Sequence, residues 1–235
     1  MTARLLVVQH EPDTPAAWLA EWWEAEGLVL DVVRGDLGEP LPPRVEDDGL
    51  VVLGGAMGAH DDAEHPWLTH TKALVRDAVE RGIPTLGICL GHQLAAVTLG
   101  GTSERNPQGR TLGVVPVRLT AAGSEDPLLG GSEGAPAVHY NDDVVTTLPP
   151  GAMVLARLPG GMPQALRLGE RAWGVQFHPE TPPARFEEWL RADSPDGLSP
   201  AGRSALDGVV AAEDALRAAW RPFARRFADT VRDAR

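Results

Sequence analysis

Cysteine is nearly absent from this chain: one occurs among 235 residues, at position 89. A single cysteine excludes an intramolecular disulfide framework and fits a reducing compartment. Long apolar runs are missing too, and none approaches the roughly 18 residues that a membrane-spanning helix needs. The apolar run near the amino terminus, Leu5–Val8, is too short for a secretory signal peptide. These absences predict a cytoplasmic protein without membrane contact.

Positive charge is also in short supply. Lys and Arg number 21 against 33 Asp and Glu, which gives a formal net charge of −12. A chain this acidic is a poor partner for a phosphate backbone, so the charge balance argues against nucleic-acid binding. Acidity of this size otherwise reflects solubility and identifies no substrate.

Hydrophobic residues make up 43% of the chain, and its length suits either one large α/β domain or a domain with a small appendage. Continuous apolar runs alternate with helical periodicity, which is typical of buried parallel strands joined by helices. The strands predicted in this way are Leu5–Val8, Leu28–Val33, Gly49–Leu53, Ile83–Leu86 and Trp173–Phe177. The first predicted helix begins at Thr14, which would cap it. Three further helices are predicted at Pro66–Arg81, Gln93–Leu99 and Pro183–Leu190. The segment Gly35–Asp48, rich in proline and acid, is predicted as a loop.

The character of the chain changes between Gly109 and Gly174, where glycine and proline divide short apolar runs. Such runs predict antiparallel strands added to the parallel core. They are Leu112–Val117, Met153–Leu158 and Gln164–Leu168.

A polar, Pro/Gly-rich break at Asp193–Gly202 divides the predicted organisation into a domain at 1–192 and an extension at 193–235. Apolar residues from Leu206 to Val231 repeat at helical spacing, which predicts a C-terminal helix that Pro222 kinks or splits. We expect this helix to dock on the same domain; a contact with an oligomer or partner is the alternative.

The lone cysteine lies in the run Gly87–Gln93, which reads Gly-Ile-Cys-Leu-Gly-His-Gln, between a predicted strand and a predicted helix. The sharp strand-to-helix turn falls on the thiol, an arrangement that holds a nucleophile above the carboxyl edge of a sheet. The amino terminus of the helix favours thiolate over thiol. A buried, inert side chain is the more common fate of a lone intracellular cysteine. The flanking glycines and the elbow position favour the nucleophile.

Two other segments follow predicted strands and therefore belong at the same edge. The turn Gly54–Gly58 can present a backbone N–H toward a ligand, as an oxyanion hole requires. The run Gly174–Glu180, which reads Gly-Val-Gln-Phe-His-Pro-Glu, ends a buried strand with a histidine and a carboxylate two residues later. A base and the acid that orients it could be supplied in this way.

Together, the run Gly87–Gln93, the Gly54–Gly55 turn and the run Gly174–Glu180 resemble the three motifs of class I (triad) glutamine amidotransferases. The resemblance covers roughly residues 4–192, with the motifs in the family's order. Within the family the chain is most similar to stand-alone proteins related to the glutaminase domain of GMP synthase, through the stretch Gly58–Leu68. The resemblance implies a flavodoxin-like or Rossmann-like three-layer α/β sandwich with a mostly parallel sheet, added antiparallel strands and a C-terminal helix.

The resemblance also implies roles for individual residues. Cys89 would attack the side-chain amide carbon of glutamine and form a γ-glutamyl thioester. His178 would transfer the protons, and Glu180 would hold and charge-stabilise its imidazole. The backbone N–H groups of Gly55 and Leu90 would bind the tetrahedral oxyanion. This reaction requires neither a metal nor an organic cofactor.

The substrate's amino-acid head is expected to contact Gln93, Asn141, Asp142 and Asp143. Relatives often carry a Ser-His-Gly-Asp-like stretch where this chain has Asn141 in place of the histidine and Asp142 in place of the glycine. Two adjacent acids beside a bound carboxylate are unfavourable unless they point away or contact the ammonium group. This departure leaves the identity of the γ-glutamyl substrate open.

Two histidines near these motifs, His60 and His92, are expected to pack or to support the site rather than to act in catalysis.

Three functions are compatible with these residues. The leading hypothesis is a glutaminase that supplies ammonia to a separate synthase subunit, because the chain has neither a Walker-type loop nor the phosphate loop of an ATP pyrophosphatase. The alternative is a γ-glutamyl peptide or amide hydrolase that uses the same triad without a synthase partner. A non-catalytic or stress-response member of the wider elbow-cysteine superfamily ranks below both, since it would have no reason to keep His178 and Glu180.

Overall fold

The computed structural model describes residues 2–235; Met1, the first residue of the predicted 1–192 domain, lies outside the described residues. Within residues 2–235 the chain forms eleven strands and seven α-helices. The strands are β1 (Arg4–Gln9), β2 (Val29–Arg34), β3 (Gly49–Val52), β4 (Thr85–Ile88), β5 (Thr102–Arg105), β6 (Thr111–Pro116), β7 (Pro136–Asn141), β8 (Asp143–Thr147), β9 (Met153–Arg157), β10 (Pro163–Gly169) and β11 (Ala172–Val175). The helices are α1 (Ala17–Ala25), α2 (Trp67–Glu80), α3 (Leu90–Thr98), α4 (Ala121–Ser124), α5 (Pro183–Asp193), α6 (Pro200–Ala211) and α7 (Glu213–Asp233).

Seven strands form the central sheet, in the order β2-β1-β3-β4-β11-β10-β9. The five strands from β2 to β11 pair in parallel, and β10 and β9 continue the sheet in antiparallel pairing. The central strands β3 and β4 are buried at every residue, which explains their continuous apolar sequence. The predicted mostly parallel sheet with added antiparallel strands is confirmed.

The alternation of side chains along β1 divides the core into two layers. Leu5 and Val7 pack in the layer that contains α1 and α7, whereas Leu6 and Val8 pack in the layer that contains α2 and α3. The molecule is therefore a three-layer α/β sandwich, as the resemblance implied. Both faces of the sheet are covered, so the open place for a ligand is the carboxyl edge of the strands.

One predicted strand lies elsewhere. The run Leu112–Val117 was expected to extend the central sheet, but it forms β6, which pairs over its whole length with β7 in a separate two-stranded sheet. β5 and β8 form a second such pair. β6 also packs against α6, where a Cβ on Gly113 would approach Ala205 at 3.2 Å. β6 therefore has β7 as its partner and pairs with no strand of the central sheet.

The first helix also starts differently from the prediction. Thr14 does not cap it; its hydroxyl donates to the carbonyl of Glu11, and α1 begins at Ala17. The N–H of Trp18, in the first turn, donates instead to the backbone carbonyl of Glu180 at 3.1 Å. A tertiary contact thus replaces the local cap and ties α1 to the segment that follows β11. In the predicted loop Gly35–Asp48, the first three residues form a 3₁₀ turn.

The chain after α5 forms two helices rather than one helix that is kinked or split at Pro222. The break lies at Ala212, and α7 continues through Pro222. Trp220 and Phe223, on either side of the proline, are fully buried, so packing maintains the helix where proline removes a backbone hydrogen bond. The indole of Trp23 in α1 donates to a backbone carbonyl of α7 at 3.1 Å. Among the described helices, none is both long and apolar enough to cross a membrane.

Candidate active site

Cys89 alone makes the turn between β4 and α3. Its backbone has φ +50° and ψ −105°. A non-glycine residue at positive φ is uncommon, and strain of this kind persists where the surrounding structure imposes it, often at functional sites. Here the N–H of Cys89 donates to the carbonyl of Val175 at 2.8 Å, and its carbonyl accepts from Gln93 at 3.1 Å. The strand-to-helix turn predicted at the thiol is therefore present.

The glycines around the elbow allow backbones to meet. A Cβ on Gly91 would lie 2.0 Å from the carbonyl oxygen of Val52, and one on Gly87 would lie 2.5 Å from the carbonyl oxygen of Gly91. Such distances are too short for any side chain. The first turn of α3 consequently rests directly on β3 and β4, and this contact lifts the cysteine to the edge of the sheet.

His178 and Glu180 follow β11, the strand beside β4. The imidazole Nδ1 and the carboxylate Oε1 of these residues lie 2.7 Å apart, and both side chains are about 95% buried. Thr181 donates its hydroxyl to the same carboxylate oxygen at 3.2 Å. The N–H of His178 donates to the carbonyl of Val138 at 2.8 Å, which fixes the backbone of the segment. The ring of Trp189 packs against the imidazole, with centroids 4.8 Å apart.

The protonation of His178 is decided by competing effects. Burial by itself lowers the pKa of an imidazole, but the negative charges of Glu180 and Cys89 and hydrogen bonds to both outweigh it and raise the pKa of His178 to about 10. The raised pKa favours the imidazolium form, which donates to Glu180 through Nδ1.

A cavity of about 470 Å³ opens over the thiol. Seven of the residues predicted for the site line it: Gly55, Cys89, Gln93, Asn141, Asp142, Asp143 and His178. Glu180 lies behind His178 and does not line the cavity. Leu90 does not line it either, but the amide of Leu90 is at the first position of α3, where an N–H has no helical acceptor.

The glycine turn after β3 packs tightly beside the elbow. A Cβ on Gly55 would lie 2.9 Å from the side chain of Leu90 and 2.7 Å from the sulfur of Met57. The carboxylate of Glu11 accepts a hydrogen bond from the backbone N–H of Ala56 at 2.9 Å and so stabilises the glycine turn. The sequence alone did not indicate this role for Glu11.

The side-chain amide of Gln93 uses both of its N–H groups inside the protein. Nε2 donates to the carbonyl of Asp143 at 3.0 Å and to Oε1 of Gln176 at 3.2 Å. Only the carbonyl Oε1 of Gln93 is left to meet a substrate. Gln93 can therefore accept a hydrogen bond from an ammonium group but has no donor to spare for a carboxylate.

Two arginines that sequence reasoning missed neutralise the acidic segment. Arg110 donates two hydrogen bonds to the Asp142 carboxylate, of 3.0 and 2.5 Å. The guanidinium of Arg105 lies 3.5 Å from the carboxylate of Asp142 and 3.4 Å from that of Asp143. The hydrogen bonds from Arg110, opposed by partial burial, lower the pKa of Asp142. Asp142 is thus directed at a cation rather than at the substrate's carboxylate. The only sequence signal was one basic residue at the end of β5, Arg105, and another directly before β6, Arg110.

Sequence reasoning also missed the cavity wall that Tyr140, Trp189 and Asp193 form. Asp193 accepts hydrogen bonds from the Tyr140 hydroxyl and from Arg110, each at 2.7 Å. Trp189 is tied to the loop after β1 through its indole, which donates to the carbonyl of Asp13 at 2.9 Å. Asp193, the first residue of the predicted extension, is thereby part of the candidate site.

The two neighbouring histidines differ. His92 is fully buried under β11, where a Cβ on Gly174 would lie 2.3 Å from its Nδ1, and burial lowers the pKa of His92 to about 3. His60 is exposed. Neither residue lines the cavity.

Comparisons with known proteins give the family. The profile described as "Glutamine amidotransferase class-I" matches residues 24–193. The chain is 32% identical over 183 residues to the glutamine amidotransferase-like protein YfeJ of Salmonella typhimurium, a match that covers 75% of each chain. It is 34% identical over 187 residues to the GMP synthase of Aeropyrum pernix, covering 79% of this chain and 31% of that enzyme. With a glutamine-hydrolysing GMP synthase subunit of Halobacterium salinarum the identity is 33% over 159 residues, 67% of this chain and 78% of the relative.

Solved structures share the fold. A glutamine amidotransferase from Thermotoga maritima superimposes with a TM-score of 0.86 at 23% identity, covering 97% of this chain and 99% of that one. A glutamine amidotransferase from Methylobacillus flagellatus gives 0.84 at 25% identity, with 100% and 96% covered. With the profile match over most of its length, the chain belongs to the class-I glutamine amidotransferase family.

Proposed function

We propose that this protein hydrolyses the side-chain amide of L-glutamine through a γ-glutamyl thioester on Cys89 and delivers ammonia to a separate acceptor enzyme. The observation that carries the proposal is that Cys89 and His178 both line the cavity, with the thiol on a strained elbow and the imidazole 2.7 Å from the Glu180 carboxylate behind it. A nucleophile, a base and an orienting acid in contact form the arrangement that amide cleavage by a thiol requires.

The reaction proceeds in two halves. The sulfur of Cys89 attacks the amide carbon while His178 holds the thiol proton, and the C–N bond breaks as His178 passes that proton to the leaving nitrogen, so that ammonia departs. Water then attacks the thioester and gives its proton to His178. The C–S bond breaks, glutamate leaves and the thiol is restored.

Each half passes through an oxyanion, for which Gly55 and Leu90 supply the donors. Their backbone N–H groups belong to the turn after β3 and to the first turn of α3, which pack against each other. Loss of one such donor typically raises the barrier by about 2.7–4 kcal/mol.

The substrate's amino-acid head lies between Gln93 and the segment Asn141–Asp143. Oε1 of Gln93 accepts from the α-ammonium group. The guanidinium groups of Arg105 and Arg110, which already balance Asp142, offset repulsion of the α-carboxylate. We propose that no metal or organic cofactor takes part.

Separate delivery of ammonia is supported by one relative. The Halobacterium salinarum protein is named as one subunit of a GMP synthase, and this chain covers 78% of it. By analogy, we propose that an acceptor synthase acts as a separate chain in the cytoplasm. The extension at 193–235 remains a proposed unit of the same protein, with Asp193 in the cavity wall.

A direct assay tests the proposal. Purified protein is given L-glutamine, and glutamate release is measured beside Cys89→Ala and His178→Asn, with Glu187→Gln as an exposed control. We expect release by wild type and the control and at least a thousandfold loss in the two site variants. Equal release in the Cys89→Ala variant would overturn the proposal.

A γ-glutamyl peptide or amide hydrolase is the second candidate, and the shape of the cavity favours it. The cavity continues past Gln93 to Trp189 and Asp193, so a group larger than –NH₂ could occupy it. In the same assay, brisk turnover of γ-glutamyl dipeptides with negligible turnover of glutamine would favour this candidate.

A further inference from the structure

A buried glutamine contacts the sulfur of the nucleophile. Gln176 lies one residue beyond β11 and two residues before His178, and it is fully buried. Its Nε2 donates to the Sγ of Cys89 at 3.5 Å, a normal length for a hydrogen bond to sulfur. The side chain thus meets the sulfur directly.

The orientation of this amide is fixed by a second glutamine. Oε1 of Gln176 accepts from Nε2 of Gln93 at 3.2 Å, and the same Nε2 donates to the carbonyl of Asp143 at 3.0 Å. If the amide of Gln176 were reversed, its NH₂ would face the NH₂ of Gln93 and its oxygen would face the sulfur. Only the observed orientation satisfies both ends of the side chain.

The contact matters more for a charged sulfur than for a neutral one. A thiolate accepts hydrogen bonds more strongly than a thiol, and a donor that is excluded from water acts in a low dielectric. Gln176 is fully buried and Gln93 is 4% exposed, so water has little access to the hydrogen bond between the two amides.

We propose that Gln176 is a thiol-positioning residue: its amide N–H holds the Cys89 sulfur in place and favours its charged form, and Gln93 keeps that N–H aimed at the sulfur. The inference rests on the proposed function, because it concerns the same thiol. Gln93 then acts on the thiol through Gln176 as well as on the substrate. A chain of hydrogen bonds through the side chains of Gln93 and Gln176 links the backbone carbonyl of Asp143 to the sulfur of Cys89.

The test is the pH profile of Cys89 alkylation by iodoacetamide, followed by intact mass. Because the chain has one cysteine, each adduct reports on this thiol alone. The variants are Gln176→Met, which keeps an unbranched side chain without a donor, and Gln176→Glu, which keeps the size and the oxygen that accepts from Gln93. The titratable groups around the thiol are retained in both: His178 at the sulfur, Glu180 behind it, His92 on α3, and the acids and arginines of the cavity.

The matched control is Gln164→Met. Gln164 is a buried glutamine on the adjacent strand β10, and its amide donates to the carbonyl of Pro163 rather than to the thiol. We expect its alkylation profile to match wild type. In Gln176→Met we expect the midpoint to rise by about one pH unit, which slows alkylation about tenfold at any pH below the wild-type midpoint, as for a lost hydrogen bond to a charged acceptor. Gln176→Glu should shift further in the same direction, since an ionised oxygen would face the sulfur.

Thermal unfolding is measured on each variant, and if one of the two does not fold, the other decides. Alkylation profiles that superimpose on wild type in a folded Gln176 variant would overturn the inference. An equal shift in Gln164→Met would also overturn it, because a general loosening of the sheet would then explain the effect. If wild type releases no glutamate from glutamine while the Gln176 shift is present, the proposed function fails and the role of Gln176 stands.

Discussion

The substitution Glu180→Gln changes the charge behind the imidazole and little else. Glu180 is buried, and its Oε1 lies 2.7 Å from Nδ1 of His178, so the amide oxygen of glutamine can take the same place. The negative charge that opposes the effect of burial is lost. We expect the pKa of His178, about 10 in wild type, to fall by more than two units, because burial then acts against the charge of Cys89 alone.

The size of the expected loss of activity follows from the raised pKa of His178. The step from 6.5 to about 10 is about 3.5 pH units, or roughly 5 kcal/mol in favour of the imidazolium. Removing one partner of a buried ion pair typically costs about 3–5 kcal/mol, and His178 avoids part of that cost by losing its proton. A lower pKa makes His178 a weaker base toward the Cys89 thiol, and we expect glutamine turnover to fall about 10²–10⁴-fold.

The ion pair of His178 and Glu180 makes the stability of the protein depend on pH. Because the folded-state pKa of His178 is raised, its contribution to stability is fully present below pH 6.5 and is lost as pH rises through about 10. The Glu180→Gln variant lacks this contribution. The difference in the free energy of unfolding between wild type and variant should therefore narrow steadily from pH 6.5 to pH 10 in urea titrations.

The assay for the titration is NMR of ¹⁵N-histidine-labelled protein, with His178→Asn to assign the resonance among seven histidines. The control is Glu187→Gln, which removes an exposed carboxylate paired with Arg191 on α5. The control should leave the midpoint of His178 unchanged. An unchanged midpoint in Glu180→Gln would refute the electrostatic role of the carboxylate.

Three further predictions concern the scaffold and the cavity. Gly91→Ala should abolish the native thermal transition, because its Cβ would lie 2.0 Å from the carbonyl oxygen of Val52; a wild-type melting curve would contradict the packing of the elbow. Trp220→Ala should lower the free energy of unfolding by about 3–5 kcal/mol in urea, since the ring is fully buried; a loss under 1 kcal/mol would show that α7 is dispensable. Arg110→Met should raise KM for glutamine about tenfold with a smaller change in kcat, because Asp142 then loses two hydrogen bonds and keeps only Arg105 at 3.5 Å; an unchanged KM would place the substrate elsewhere.

The parallel core was predictable because its strands are continuous apolar runs. Leu5–Val8 and Gly49–Leu53 are buried on both faces, and burial on both faces leaves a signal that needs no partner to be recognised. The elbow was predictable for a similar reason, since Gly87 and Gly91 surround a single residue that must turn the chain.

The strands β5, β7 and β8 were not predicted, and the reason is their partners. They pair in two-stranded sheets whose partner residues are 20 or more positions apart along the chain, so their stability comes from contacts that the local sequence does not display. The prediction that Leu112–Val117 joins the central sheet was wrong for the same reason, because its apolar pattern fits the central sheet as well as the two-stranded sheet that it forms with β7.

The polar wall of the cavity was hidden for a related reason. Arg110 meets Asp142 across the β6–β7 pairing and reaches Asp193 at the end of α5, so the interaction depends on register and on helix docking. Gln176 did leave a signal: a glutamine inside an apolar strand must find buried partners. That signal indicates a buried polar contact without naming Cys89 as the partner.

The covalent step is tested most directly by partitioning between water and hydroxylamine. If glutamine and a γ-glutamyl anilide both acylate Cys89, the same thioester is intercepted in both reactions. At a fixed hydroxylamine concentration, the ratio of γ-glutamyl hydroxamate to glutamate should then be identical for the two substrates, and neither product should form with Cys89→Ala. Ratios that differ between the substrates, or hydroxamate formed by the Cys89→Ala variant, would contradict a thioester on Cys89.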